Sequence, residues 1–89
     1  MSQEQANIVM YCTQFCPYCV RAKSLLNSKS VQFTEIDIDA DPSKYNEMVS
    51  KSGGVTSVPQ IFIDEEHIGG CDDLYATEAA GKLDGLLFK

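Results

Sequence analysis

Short apolar runs and segments of helical spacing alternate in the first half of the chain. Ile8–Cys12 is continuously apolar and rich in strand formers, which is typical of a strand covered on both faces. Pro17 suits a first helical turn, and the apolar residues after it recur at helical spacing: Cys19, Ala22, Leu25 and Leu26. The segment 31–39 has apolar side chains on both parities and predicts a second strand. Together these elements predict a strand–helix–strand unit with a right-handed crossover.

The pattern after residue 40 predicts a second helix. Asp41 is a suitable N-cap, and Pro42 is a suitable first helical residue. The predicted apolar stripe consists of Tyr45, Met48 and Val49. Glu47 and Lys51 have the spacing of an ion pair on one helix face. The glycine pair at 53–54 marks the end of this helix.

The last third of the chain predicts a hairpin and two more helices. Gln60–Asp64 reads as a strand, and the acidic turn 64–66 leads into a short partner strand. The acids at 72–73 favour a helix N-terminus, and Leu83–Phe88 is apolar enough to dock as a last short helix. The order β-α-β-α-β-β-α predicts an α/β fold with a four-stranded mixed sheet flanked by helices.

Composition narrows the class of protein. The 89 residues suit one domain spanning residues 1–89, and the formal net charge of −6 argues against nucleic-acid binding. The sequence shows no apolar run long enough for a bilayer and no signal-peptide pattern. We therefore expect a cytoplasmic protein with no membrane partner. Because no apolar patch stands out, we also expect a monomer.

The charge is unevenly distributed along the chain. No acid lies between Glu4 and Glu35, whereas Arg21, Lys23 and Lys29 all do. This distribution predicts an electropositive island on an acidic protein.

The pair Cys16 and Cys19 lies inside that island. Cys16 is predicted at the N-terminus of the first helix, where backbone N–H groups and the helix dipole favour a thiolate. Cys19 lies one turn further along, close enough for a reversible disulfide once the turn adjusts. We therefore predict that Cys16 is the nucleophile of a thiol–disulfide exchange and that Cys19 is the resolving thiol.

A lone C-x-x-C motif is also half of many zinc sites. The other ligands that could be nominated are Cys12, Cys71 and His67. Because the chain has no second C-x-x-C motif, we expect redox chemistry and no metal. We expect His67 to be an ordinary polar residue at a strand edge or surface.

The sequence carries three ordered motifs, CPYC at 16–19, SVPQIFID at 57–64 and HIGGCDDLYA at 67–76. They resemble the active-site motif and the second and third motifs of the glutaredoxins, in particular of the small bacterial dithiol kind. The resemblance implies a thioredoxin fold. It also implies an enzyme that reduces protein disulfides and glutathione mixed disulfides, with glutathione as co-substrate.

The resemblance further implies a glutathione site. Val58–Pro59 is implied to be a cis peptide bond, which would leave the Val58 backbone free to pair with glutathione as an added strand. In GGCDD, glycines allow close approach, N–H groups at a helix start can hold a carboxylate, and an aspartate can hold an ammonium group. The implied glutathione-binding residues are Tyr18, Ser57, Val58, Pro59, Gly70, Cys71, Asp72 and Asp73.

Two positions depart from the family pattern. Members often carry lysine where this chain has Thr13, and many carry arginine shortly before the motif that here reads SVP. Both cations would face the glycyl carboxylate of glutathione, so we predict weaker or differently steered glutathione binding. Arg21, Lys23 and Lys51 are the candidates to compensate.

Two alternative functions remain open from the sequence. One is a [2Fe–2S] carrier, in which Cys16 of two subunits and two glutathione molecules hold the cluster, although the proline of CPYC disfavours it. The other is a redoxin reduced by thioredoxin reductase. For the main hypothesis, the expected protein partners carry disulfides or glutathionylated cysteines, and ribonucleotide reductase is one candidate.

Overall fold

The computed structural model describes residues 5–88, so the ends of the predicted domain, 1–4 and 89, lie outside the described residues. The elements are β1 (Ile8–Cys12), α1 (Pro17–Ser28), β2 (Thr34–Asp37), α2 (Pro42–Lys51), β3 (Gln60–Ile63), β4 (Glu66–Gly69), α3 (Cys71–Ala79) and α4 (Leu83–Leu87). The sheet order is β2-β1-β3-β4, with β1 and β2 parallel and the other pairs antiparallel. The predicted α/β class with a four-stranded mixed sheet is confirmed, and α4 is the expected last short helix.

Strand β2 is shorter than the sequence predicted. The expected strand covered 31–39, whereas β2 spans Thr34–Asp37. The strand starts late because the side chain of Gln5 occupies the backbone of Gln32. The Gln5 amide accepts a hydrogen bond from the Gln32 N–H at 2.6 Å and donates one to the Gln32 carbonyl at 2.6 Å. Gln32 therefore pairs with a side chain, and the parallel pairing with β1 begins only at Thr34.

The sheet is covered on both faces, because successive residues of β1 point to opposite sides. On one face, Met10 belongs to the larger core, which is completed by α1, α3 and α4. On the other face, Tyr11 and Phe62 pack with Met48 of α2, and their two rings meet edge to face with centroids 5.7 Å apart. β1 is thus held between two helical layers, and its carboxyl end leads directly into the segment of Cys16.

The buried hydroxyl of Tyr11 ties α2 to the sheet by donating a hydrogen bond to the carboxylate of Glu47. The ion pair of Glu47 is with Lys44 at 3.6 Å, one turn before Glu47, and not with the expected partner Lys51, one turn after it. Lys51 acts on this carboxylate only through longer-range attraction. The hydrogen bond from Tyr11 is the main cause that lowers the pKa of Glu47.

Tyr11→Phe should lower the free energy of unfolding at neutral pH by about 1.5 kcal/mol, because it removes a hydrogen bond to a charged, partly exposed group. The folded state holds the pKa of Glu47 below its usual value. The stabilisation is therefore present above the pKa of the unfolded chain and is lost as pH falls through the folded-state pKa. Urea unfolding of both proteins should show a difference that shrinks in acid. A difference independent of pH would contradict a role for the ionised carboxylate.

The end of α2 sets the path of the loop that leads to β3. Gly54 N–H donates to the Val49 carbonyl at 2.8 Å, and Gly53 N–H donates to the Ser50 carbonyl at 3.3 Å. Gly53 has φ +76°, a conformation that suits glycine at this position of a helix end. The predicted stop at 53–54 is confirmed, and it turns the chain back toward the sheet, where β3 begins.

Candidate active site

Cys16 and Cys19 lie at the start of α1. Cys16 is the N-cap residue, and its Sγ accepts a hydrogen bond from the Cys19 backbone N–H at 3.3 Å. This sulfur therefore faces the helix end that favours an anion. Cys16 is half-buried, whereas Cys19 is only 1% exposed, and neither is in a disulfide. The pair thus combines one accessible sulfur with one enclosed sulfur.

The surroundings of Cys19 keep its thiol protonated at neutral pH. The pKa of Cys19 is raised to about 12, chiefly by burial and further by the hydrogen bond with Cys16, while a hydrogen bond from the Thr13 backbone opposes the rise. Cys12 lies in the core at the end of β1, and burial raises the pKa of its thiol too. A protonated thiol is a poor nucleophile. The geometry therefore favours attack by Cys16.

A cleft of about 310 Å³ lies beside the cysteine pair. All eight residues that the resemblance implies for glutathione line it: Tyr18, Ser57, Val58, Pro59, Gly70, Cys71, Asp72 and Asp73. The peptide bond Val58–Pro59 is cis, as the resemblance implies. The Sγ of Cys16 lies 3.9 Å from the Val58 carbonyl oxygen, so the accessible sulfur stands at the rim of this cleft.

One end of the cleft is shaped by the N-terminus of α3. The Asp73 carboxylate accepts a hydrogen bond from the Gly70 N–H at 3.0 Å and so caps its own helix, while Asp72 is exposed. The first N–H groups of a helix have no acceptor within the helix, and they suit a carboxylate ligand. Gly69 has φ +119°, and a Cβ added there would lie 2.3 Å from an Asp73 carboxylate oxygen. This tight turn therefore requires glycine.

The predicted electropositive island is largely neutralised by acids from outside the stretch. Lys23 pairs with Glu35 at 2.7 Å. Lys29 pairs with Glu78 at 2.6 Å and with Asp84 at 2.9 Å. The last two acids are distant in sequence and fold back onto α1, so a count of charges along the chain does not reveal them.

The three cations nominated for the glycyl carboxylate take different positions. Lys51 lines a separate cleft on the α2 side, and Lys23 is occupied by its ion pair. Arg21 lies over the ring of Tyr75, 5.5 Å from its centroid. Burial raises the pKa of the Cys71 thiol, and Arg21 partly offsets that rise. Within residues 5–88, no lysine or arginine lines the cleft itself.

The cleft wall also contains two polar side chains, those of Gln60 and His67, that the sequence did not nominate for it. His67 lies exposed on the edge strand β4, as expected of an ordinary polar residue, but its Nε2 is 2.6 Å from Gln60 Oε1, and both residues line the cleft. Gln60 is only 3% exposed, and its amide donates to the Ser57 carbonyl at 3.1 Å. The only sign of this contact in the sequence is the amide of Gln60, which stands at the start of an otherwise apolar strand.

The nominated zinc ligands Cys12, Cys71 and His67 do not join the cysteine pair in one place. Across residues 5–88, no three His, Cys, Asp or Glu side chains are grouped so that they could hold a metal ion. The described part of the chain also has no helix that is both long and apolar enough to span a membrane.

Comparisons of the sequence with known proteins point to one family. The glutaredoxin family model matches residues 8–68, which is more than half of the chain. Glutaredoxin 3 of Escherichia coli K12 is 58% identical over 82 residues, or 92% of this chain and 98% of the relative. The glutaredoxin of Pseudomonas aeruginosa is 56% identical over 80 residues, or 90% of this chain and 94% of the relative.

Solved structures agree with the sequence comparisons. The solution structure of glutaredoxin from Brucella melitensis has a TM-score of 0.81 and 51% identity, covering 93% of this chain and 89% of its own. The buckwheat glutaredoxin–glutathione complex has a TM-score of 0.84 and 28% identity, covering 92% of this chain and 76% of its own. These neighbours confirm the thioredoxin fold. The family match, the close relatives and the fold together show that this chain belongs to the glutaredoxin family of thiol–disulfide oxidoreductases.

Proposed function

We propose that this protein is a glutathione-dependent oxidoreductase that reduces protein disulfides and glutathione mixed disulfides through Cys16 and Cys19. The observation that carries the proposal is an accessible N-cap sulfur with an enclosed thiol three residues later. The adjacent cleft supports it, as does the likeness to a buckwheat glutaredoxin whose structure contains glutathione. The partners we propose are glutathionylated or disulfide-bearing proteins of the cytoplasm, with ribonucleotide reductase as one candidate.

With a glutathionylated protein, the Cys16 thiolate attacks the sulfur of the bound glutathione. The sulfur of the client protein leaves as a thiolate and takes up a proton, while Cys16 is left in a mixed disulfide with glutathione. The thiolate of a second glutathione then attacks the glutathione sulfur of that disulfide. Oxidised glutathione leaves, and Cys16 returns as a thiolate stabilised by the Cys19 N–H and the helix N-terminus.

With a protein disulfide, Cys16 forms a mixed disulfide with one client sulfur, and the other client sulfur leaves as a thiol. Cys19 then attacks Cys16 Sγ, the bond from Cys16 to the client breaks, and the proton that Cys19 loses balances the one that the departing client sulfur takes up. The reduced client is released, and a Cys16–Cys19 disulfide is left. Two glutathione molecules reduce this disulfide and leave together as oxidised glutathione. Cys19 is buried one helical turn from Cys16, so its thiol can reach the sulfur of Cys16 but is shielded from the sulfurs of a client protein.

The cleft offers contacts to the cysteine residue and to the γ-glutamyl end of glutathione. The Val58 backbone suits main-chain pairing with the cysteine residue of glutathione. The start of α3 suits the γ-glutamyl carboxylate, and the charges of Asp72 and Asp73 beside it suit the ammonium group. Tyr18, two residues after Cys16, also lines the cleft.

A coupled assay tests this function directly. NADPH oxidation should be followed with a glutathionylated peptide, glutathione and glutathione reductase, beside the same peptide with thioredoxin reductase. We expect turnover only in the glutathione system. Turnover only with thioredoxin reductase would refute glutathione dependence, and a visible chromophore on purification with no turnover in either assay would favour an iron–sulfur carrier instead.

Thr13→Lys should lower the KM for glutathione by about twofold to fivefold, which is the size of effect expected for one partly exposed charge pair. The reason is that the cleft has no lysine or arginine in its wall to meet the glycyl carboxylate. Asn46→Lys, on the exposed side of α2, is a control that adds the same charge away from the cleft. An unchanged KM in Thr13→Lys, or an equal decrease in Asn46→Lys, would count against this explanation.

A further inference from the structure

We propose that His67 is a positioning residue that acts through Gln60 to aim the backbone N–H of Val58 into the cleft. This inference rests on the proposed function, because the aimed N–H would receive glutathione. The observation that carries it is a chain of two hydrogen bonds. His67 Nε2 lies 2.6 Å from Gln60 Oε1, and Gln60 Nε2 donates to the Ser57 carbonyl oxygen at 3.1 Å.

The Ser57 carbonyl determines the direction of both hydrogen bonds. A carbonyl oxygen only accepts, so Gln60 must present its amide nitrogen to Ser57 and its Oε1 to His67. His67 must therefore donate from its Nε2–H. Without this donor, the Oε1 atom of Gln60 has no hydrogen-bond partner, a mismatch that leaves the single bond to Ser57 to hold the amide in place. Because Gln60 is 3% exposed, water has little access to repair that mismatch.

The orientation of Ser57 is passed on to Val58 by the geometry of the peptide bond. The carbonyl of one residue and the N–H of the next share a plane and point in opposite directions in a trans peptide. Holding the Ser57 carbonyl toward Gln60 therefore turns the Val58 N–H to the other side. Since the Val58 carbonyl oxygen lies 3.9 Å from Cys16 Sγ, a substrate attached to that sulfur has its own backbone beside Val58.

The imidazole ring is fixed although His67 is on an exposed edge strand. It stacks on the ring of Phe62, with centroids 4.9 Å apart and an interplanar angle of 29°. Phe62 and His67 are cross-strand partners, and the register shifts between Ile61 and Phe62. Bulges of this kind re-aim side chains next to active sites. The stack and the bulge together hold the ring where Nε2 reaches Gln60.

Three variants separate the hydrogen bond that His67 donates to Gln60 from the packing of His67 against Phe62. His67→Phe keeps a ring for Phe62 but has no donor, and Gln60→Glu still accepts from His67 but cannot donate to Ser57. Each should raise the KM for a glutathionylated peptide about threefold to tenfold with kcat within twofold of the wild type, as expected for one lost hydrogen bond. His67→Gln restores a donor, so its KM should stay within about twofold of the wild type. Glu66→Gln, on the same exposed strand, serves as the control and should change nothing.

Two further readouts distinguish this role from a structural one. Alkylation of Cys16 by iodoacetamide does not use the Val58 backbone, so its rate should be the same in all variants. The amide signal of Val58 in a ¹⁵N–¹H NMR spectrum should move in His67→Phe and Gln60→Glu and stay in place in His67→Gln. An unmoved signal, an unchanged KM, or losses of kcat and alkylation rate that accompany a lower Tm would overturn the proposal. If the wild type turns over only with thioredoxin reductase, glutathione dependence fails instead, and the Val58 signal alone decides the positioning role.

Discussion

Cys16→Ser is expected to abolish turnover with every disulfide substrate, whereas Cys19→Ser is expected to abolish only the reduction of protein disulfides. Removal of an enzyme's nucleophile costs at least about a thousandfold in rate, and Cys16 is the accessible sulfur of the pair. Cys19 is buried, with the pKa of its thiol raised to about 12, so it enters only when a mixed disulfide on Cys16 must be resolved internally. Glutathione can release a glutathione mixed disulfide without it. The two substrate classes should be assayed in parallel.

Cys12→Ala is the matched control, because it removes a buried thiol that has no part in the exchange. It should keep both activities. Alkylation followed by mass spectrometry gives a second readout, in which Cys16 should be labelled long before Cys19. Loss of both activities in Cys19→Ser, or faster labelling of Cys19 than of Cys16, would show that the roles of the two thiols have been assigned the wrong way round.

The elements that the sequence predicted well are those whose ends carry local signals. Pro17 and Pro42 mark the starts of α1 and α2, the side chain of Asp41 accepts from the Ser43 N–H, and the glycines at 53–54 close α2. The bounds of β2 were not predictable in this way. They depend on the amide of Gln5, a residue far away in sequence, whose bonds to the Gln32 backbone compete with strand pairing.

In the candidate site, too, features carried by local sequence signals were predictable and features that depend on distant residues were not. The cysteines and the two loops that line the cleft belong to contiguous motifs, so their residue types could be recognised along the chain. The electrostatic surroundings could not, because Lys29 is paired with Glu78 and Asp84 only after the chain folds. Gln60 and His67 are in contact across a hairpin with an irregular register. The alternation of polar and apolar residues along a strand does not predict such a contact.

Gly69→Ala is expected to damage both stability and glutathione binding. An alanine would have to adopt φ +119°, and its Cβ would lie 2.3 Å from the Asp73 carboxylate oxygen. The Asp73 side chain must then move and release the Gly70 N–H that it now caps. The backbone strain and the lost cap together should lower the free energy of unfolding by about 2 to 4 kcal/mol. Because the start of α3 forms one end of the cleft, the KM for glutathione should rise as well.

Two controls separate the causes of that damage. Asp73→Ala removes the cap without adding a Cβ at residue 69, so it should reproduce only the smaller part of the destabilisation, about 1 kcal/mol. Gly85→Ala adds a Cβ in α4 with nothing within 4 Å, so it should leave glutathione binding unchanged and slightly raise the Tm. Denaturant unfolding and KM measurements on the three variants test whether the loss of stability is largest in Gly69→Ala, smaller in Asp73→Ala and absent in Gly85→Ala.

Two outcomes for Gly69→Ala would contradict this account. If it were as stable as the wild type and bound glutathione equally well, the conformation of the turn at residue 69 would not be needed for the fold or for the site. If it were destabilised while its KM stayed unchanged, the start of α3 would serve the fold alone, and the γ-glutamyl end of glutathione would have to lie elsewhere.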